Sequence, residues 1–482
     1  MTRHRLVILG FVLALPCFGS GDLAARLTGP IATNPGSPKA VWVQVAGQRA
    51  LHFECPFDKT SAQRCFWDLP VRLDLRDAVG LRLVLRCADP APVAQFNVYI
   101  RSDGVWHAAG FAPQGTGQWE QIQILKAATR PEGSSQGWGQ VDCIRLAAWR
   151  GENRAASMQL ADLQTIAGSP TVAILRGRGE TTYAARIAAA LKEFGVLPNL
   201  IDQADATAAR LQAYDVLFVP FLPNPDPATE NALLGYIRNG GHPIVFYTLP
   251  ERLLDALGFA AGTYLAASRL PGGLGGVVFQ GNALPGAPER FIQHSGNIMS
   301  TPPKAGQVAA WWADSAGNLT SHPAILLSDR GAWMTHVFLG QDPREGPRAL
   351  LALAGRYSPE LWRTATLARL SDAPRNIGAD DMSAVVRDFQ QAPPKARALV
   401  QQAVVAHNQA IRDLGARRYL AAIEQAESCR KYLVAAVLAQ TQAPAGEFRG
   451  VWCHRDYGIQ GWTWEQSAQR LASLGFTAIF PN

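Results

Sequence analysis

Residues 41 to 166 alternate apolar and polar positions in short runs, VWVQVAG, ALHFEC, LRLVLRC, AQFNVYIR, VWHAAGF, QWEQIQIL, VDCIRLAAW and MQLADLQ, separated by Gly, Pro, Asp and Ser. A period of two puts every second side chain on one side of a strand, so each run predicts a strand with one buried face. Ser102-Asp103-Gly104 suits a hairpin turn between two of them. Together they predict an antiparallel β-sandwich. After Ser169-Pro170 the rhythm becomes strand, helix, strand. TVAILR is a continuous apolar run, TTYAARIAAALKEFG an amphipathic helix closed by Gly195, DVLFVP a buried strand, ENALLGYIRNGG a helix ended by two glycines, and HPIVFYT a further strand. This alternation predicts a doubly wound α/β domain.

From about residue 378 to 440 Ala, Gln, Arg and Leu dominate. Pro393 is placed to open a helix and Gly415 to end one, which predicts a helical hairpin. The final stretch, GEFRGVWCHRDYGIQGWTWEQSAQRLASLGFTAIFPN, changes rhythm again. EFRGVWC reads as a strand, CHRDYGIQG as a loop, and Thr463 with Gln466 three residues on as a capping box opening a helix that Gly475 closes. FTAIF is the next strand. Strand, loop, helix and strand form a βαβ unit, the repeat of a TIM barrel.

With 482 residues the chain has room for three or four compact units. Its 48% hydrophobic and 17% charged content excludes long disorder, and a net charge of +7 without a basic run does not fit a nucleic-acid partner. Arg3, His4 and Arg5, the apolar run Leu6 to Leu15, and Gly19-Ser20-Gly21 have the build of a signal peptide over 1–21. A secreted or periplasmic location follows, with no membrane association after signal removal, and Pro16 before Cys17 argues against a lipid anchor. Cys55, Cys65, Cys87 and Cys143 fall in one domain, where an oxidising compartment permits disulfides; buried free thiols are the equal alternative. The absence of C-x-x-C and H-E-x-x-H spacing gives no metal and no cofactor to expect. Gly177-Arg178-Gly179 lacks the third glycine of a dinucleotide fingerprint, Thr182 standing in its place, and reads as an ordinary βα turn; LPGGLGG at 270 to 276 reads as a mobile loop.

Three resemblances add to this reading. LDLRDAVGLRLVLRC, FNVYIRSDGVWHAAGF, GQWEQIQI and GWGQVDCIRLAAW, in that order, resemble the jelly-roll carbohydrate-binding modules of the galactose-binding-like superfamily. That likeness implies sugar rings stacked on exposed aromatics, with Trp106, Trp138 and Trp149 as candidates; filling the sandwich core is the alternative for each. The α/β segment resembles the class I glutamine amidotransferase-like fold in the versions embedded in glycoside hydrolases. No cysteine lies between Cys143 and Cys429, which excludes the amidotransferase nucleophile. EFRGVW followed by LASLGFTAIFPN is similar to the opening of family 10 glycosyl-hydrolase-like proteins, with Thr477 where asparagine is often found.

That last resemblance implies a hydrolase acting on polysaccharide or oligosaccharide. Trp452, His454, Asp456 and Asn482 would face its cleft at the strand ends, although barrel packing accounts for Trp452 equally well. Such cleavage needs two carboxyl groups, which the resemblance places on later strands. No catalytic residue is assigned, and the chain is expected to be the front of a larger enzyme and inactive by itself. A non-catalytic carbohydrate-binding or scaffold protein is the alternative. The expected organisation is a sandwich at 35–168, an amidotransferase-like α/β domain at 169–356, a helical linker at 357–445 and the start of a barrel at 446–482.

Overall fold

A computed structural model describes residues 23–133, 137–302, 307–441, 446–453 and 463–481. The expected signal segment lies outside them. Contacts divide the chain into one unit of residues 1–193 with 197–358, and a second of 194–196 with 359–482.

The first unit opens with the strands β1 (Ala32–Thr33), β2 (Val41–Val45), β3 (Gln48–Cys55), β4 (Arg64–Leu73), β5 (Ala78–Arg86), β6 (Val93–Ser102), β7 (Val105–Phe111), β8 (Trp119–Leu125), β9 (Arg130–Glu132), β10 (Val141–Arg150) and β11 (Ala156–Ala167). They make two antiparallel sheets, ordered β1-β4-β10-β6-β7-β9 and β2-β3-β11-β5-β8. The alternation seen in the sequence sends Cys65, Trp67, Leu69, Ile144, Leu146, Val98 and Ile100 into a shared core with Phe53, Leu81, Leu83 and Leu160 of the other sheet. Phe53 and Trp67 meet across it at 5.0 Å. The turn between β6 and β7 has left-handed φ at Asp103 (48°) and Gly104 (80°), the conformation a two-residue hairpin requires. At Gly80 a Cβ would lie 2.0 Å from the Ile124 carbonyl oxygen, so only glycine lets β5 and β8 approach there.

The same unit continues with β12 (Val172–Arg176), β13 (Asn199–Asp202), β14 (Val216–Val219), β15 (His242–Phe246), β16 (Thr263–Ala266), β17 (Gly276–Phe279), β18 (Arg290–Ile292), β19 (Asn297–Ser300), β20 (Val308–Ala313), β21 (Leu319–Leu327) and β22 (Ala332–Met334). Strands β13-β12-β14-β15-β22 run parallel, as the strand–helix alternation predicts. An antiparallel half, β21-β20-β17-β18, extends the sheet beyond β22 and departs from a purely doubly wound plan. One face of the parallel half packs with helices Pro227–Arg238 and Glu251–Leu257. Helices Thr182–Lys192 and Glu345–Tyr357 pack on each other elsewhere in the unit.

The sandwich and the α/β module are joined through polar side chains in the interior. Lys126 Nζ donates to the Leu75 (2.6 Å) and Arg76 (3.2 Å) carbonyls on the sandwich side. On the α/β side it reaches Asn199 Oδ1 and the Leu200 carbonyl, both at 3.3 Å. Trp138 is fully buried and donates from Nε1 to Asp202 Oδ2 at 3.0 Å. Asp202 also holds Arg176 with two hydrogen bonds, 2.6 and 3.0 Å. Sequence reasoning treats these modules as separate domains; here they are one compact unit.

In the second unit, helices Pro394–Gly415 and Tyr419–Gln440 form the expected hairpin, packed through Ala396, Val400, Ala403, Cys429, Leu433 and Ala436. Farther on, β23 (Gly450–Cys453) pairs in parallel with β24 (Ala478–Pro481), and helix Trp464–Ser473 lies between them in the chain. The Thr463–Gln466 capping box is formed, and Gly475 has φ 84°. The segment is therefore a βαβ unit with its own two-stranded sheet.

Burial, then repulsion from Arg210, pushes the Lys126 ammonium down to about 7, against the attraction of Asp202, Asp205 and Asp77. In the unfolded chain the group keeps the ordinary lysine value of 10.5. Between those values the unfolded chain holds a proton that the folded one lacks, so this group makes stability rise with pH. The urea midpoint of the intact chain is expected to rise from neutral to mildly alkaline pH, and Lys126→Met to flatten that rise. Equal slopes in the two proteins would contradict the assignment. Cys55, Cys65, Cys87 and Cys143 are free thiols, and those of Cys55 and Cys65 hydrogen-bond to each other, which raises the pKa of the first and lowers that of the second. Mild oxidation is expected to link these two in preference to Cys87 or Cys143; peptide masses that join any other pair first would refute this.

Candidate functional site

The outer face of the six-stranded sheet carries the side chains that alternate with the core positions. Register sets Trp149 opposite Arg64 and Gln95, Ala147 opposite Phe66 and Asn97, and Arg145 opposite Asp68 and Tyr99. On the next strand pair, Asn97 faces Gly110 and Arg101 faces Trp106. Guanidinium groups and rings alternate across this face. Arg64 lies 5.1 Å from the Trp149 ring and 5.0 Å from Phe66; Arg145 lies 4.2 Å from Phe66 and 4.4 Å from Trp106; Arg101 lies 5.2 Å from Trp106. Each such contact contributes about 0.5–1 kcal/mol where water has access. Tyr99 meets the Trp106 ring edge-on at 6.4 Å.

Carboxylates fix two of the three cations. Asp68 accepts from Arg145 Nε at 2.6 Å and from Nη2 at 2.8 Å, and Asp142 accepts from Arg101 Nε at 2.7 Å. These hydrogen bonds hold both guanidinium groups above their ordinary pKa, so they stay charged at any working pH. Between the rows the floor is low, because Ala147 and Gly110 flank Asn97. Asn97 is buried, and its Oδ1 has no hydrogen-bond partner. An unpaired buried acceptor is costly and marks a place where a ligand hydroxyl or a water is wanted. The face thus offers apolar rings and fixed cationic donors across adjoining strands. This combination can hold polyhydroxylated rings by stacking and by hydrogen bonds.

Trp106 and Trp149 are half-buried on the outer side of the sheet. Two guanidinium groups engage Trp106 and one engages Trp149. Trp138 is a correction. It is fully buried, packed against the tilted His107 ring at 4.2 Å and bonded to Asp202, and it serves the junction between sandwich and α/β module. Trp452 is 67% exposed and stacks on Phe480 at 4.9 Å, in register across the βαβ pair. His454, Asp456 and Asn482 lie outside the described residues. Arg449, just before β23, pairs with Glu447 at 2.6 Å, and its N–H donates to Thr477 Oγ1 at 2.9 Å.

Sequence reasoning missed Arg64, Phe66, Asn97, Tyr99, Arg101 and Arg145. The signal was present as alternation, Arg64-Phe66-Asp68 on one strand and Arg145-Ala147-Trp149 on its neighbour. Among the described residues no group of three or more His, Cys, Asp or Glu is placed to hold a metal ion, and no helix is long and apolar enough to cross a membrane.

No family model matches this chain, and no curated protein does. Solved structures resemble parts of it. A ThuA-like protein from Bacteroides uniformis is 15% identical over 39% of this chain and 91% of that one, with a TM-score of 0.31. The family 11 carbohydrate-binding module of the cellulosomal cellulase Lic26A-Cel5E of Clostridium thermocellum is 11% identical over 29% and 86%, with a TM-score of 0.23. A cold-adapted β-galactosidase from Rahnella sp. R3 is 17% identical over 39% of this chain and 31% of its own, with a TM-score of 0.28.

Proposed function

We propose that this chain is the glycan-binding front of an exported glycoside hydrolase, and that the outer face of its six-stranded sheet holds the polysaccharide. The observation that carries the binding claim is the alternation of Trp149, Arg64, Phe66, Arg145 and Trp106 across adjoining strands. An open face of this kind admits the interior of a long chain, whereas an enclosed pocket would select a chain end. Stacking on Trp149 and Tyr99 supplies affinity. Donation from Arg64, and from the guanidinium nitrogens of Arg145 and Arg101 that their carboxylates leave over, supplies orientation. The hydrolytic side of the proposal rests on the family 10-like βαβ unit, in which Trp452 would line the sugar cleft at the strand end.

Retention of the full chain on immobilised polysaccharides tests the binding claim. Trp149→Ala is expected to weaken retention roughly two- to tenfold, the worth of one aromatic stacking contact. Trp106→Ala is expected to act in the same direction. Trp138→Phe, which alters only the junction, is expected to bind as the parent does. Equal retention by the parent and the Trp149 variant on every glycan that binds would refute the assignment.

A further inference from the structure

The α/β module contains a second concave site, independent of the sandwich face. Strand β13 lies on one side of β12 and β14 on the other, so the chain reverses direction across the sheet at β12. Loops that leave the carboxyl ends of the strands at such a reversal part and open a crevice. Here it measures about 460 Å³, and Arg178, Glu180, Tyr183, Arg186, Phe221 and Asn224 line it. Such a volume suits a small ligand.

Its wall is aromatic and runs inward. Phe221 meets Tyr183 edge-on at 5.9 Å and stacks on Tyr247 at 6.1 Å, and Tyr247 meets His336 at 5.5 Å. Tyr247 follows β15 with φ 64°, a left-handed conformation that costs a non-glycine residue about 1 kcal/mol or more. The structure imposes it. The Tyr247 N–H donates to the Met334 carbonyl at 2.9 Å, and its own carbonyl accepts from Trp333 Nε1 at 2.8 Å. Strain held this way at a strand end keeps the ring aligned with Phe221.

The charges decide what can enter. In a nucleotide-binding turn the phosphate occupies the helix N-terminus. In this chain the Glu180 carboxylate is already there, accepting from the Tyr183 N–H at 2.5 Å and the Ala184 N–H at 3.1 Å, and burial raises its pKa. A phosphate would meet that carboxylate. Two arginines line the same crevice. Arg178 is exposed, and Arg186 lies over the Tyr183 ring at 5.6 Å; neither joins an ion pair among the described residues. Asp226, whose charge interacts with Arg178, is committed to the Thr229 N–H and to Gln203 Nε2. The Asn224 amide and the Thr181 and Thr182 hydroxyls add a polar rim.

We propose that this crevice binds a sugar acid of monosaccharide size, its ring against Phe221 and Tyr183 and its carboxylate paired with Arg178 and Arg186. The aromatic wall takes the C–H face of the ring, the rim takes its hydroxyls, and the two guanidinium groups take the charge.

Calorimetric titration of the full chain with glucuronate, glucose and benzoate tests this. Glucuronate is expected to bind saturably and more tightly than either of the others. Arg178→Met with Arg186→Met is expected to weaken it about tenfold or more, the loss of a charge-assisted pair. Asn224→Asp, which adds a negative charge at the rim, is expected to weaken it as well, and Arg397→Met, which removes an exposed arginine of the helical hairpin, to leave it unchanged. No binding of glucuronate, equal binding of glucose or benzoate, indifference to either crevice change, or loss in the Arg397 variant would each overturn the proposal.

Discussion

One buried carboxylate sets the frame for the first unit. Asp202, at the end of strand β13, accepts two hydrogen bonds from Arg176 at the end of β12 and one from the Trp138 indole of the sandwich. All three side chains are withdrawn from water. A buried guanidinium without its carboxylate is penalised by about 3–5 kcal/mol, so the chain must bring these strands together or not fold there at all. The consequences run in two directions. On the α/β side the pair fixes the point at which β12 gives way to the Gly177–Glu180 turn, and with it the rim of the crevice. On the sandwich side Trp138 supports His107, which points inward from β7 next to the outward-pointing Trp106. The crevice rim and the junction between the two modules are thus referred to the same interior charge pair.

Much of this architecture is legible in the sequence where periodicity is strong. The two-residue alternation from Val41 to Ala167 is uninterrupted enough to define a sandwich, and continuous apolar runs such as Val172–Arg176 and Val216–Val219 are recognisable as buried parallel strands. The antiparallel extension of the α/β sheet is not. Its strands are as short as Arg290–Ile292, and glycine and proline interrupt the region, so no period survives long enough to count.

The sites divide along the same line. Trp106 and Trp149 can be chosen from sequence because strand alternation decides which way they face. Trp138 sits in a glycine-flanked loop where no alternation operates, and its partner Asp202 is 64 positions away. Local pattern carries no information about such a pairing. The crevice is harder still. Tyr183 comes from the first turn of helix Thr182–Lys192 and Phe221, Tyr247 and His336 from loops after three different strands, and only the parallel order of β12, β14, β15 and β22 gathers them. The Gly177-Arg178-Gly179 turn looks ordinary in isolation because its glycines serve the turn, while the chemistry is supplied by residues distant in the chain.

The alternation of guanidinium groups and rings on the sandwich face has a thermodynamic consequence. Because Asp68 clamps Arg145, and Arg145 in turn contacts both Phe66 and Trp106, those side chains are already immobilised before any ligand arrives. Freezing a free side chain on association costs about 0.5–1.5 kcal/mol. A surface whose rotamers are settled at folding avoids that loss at each encounter, so even shallow contacts along a long, repetitive partner can add up to useful adhesion.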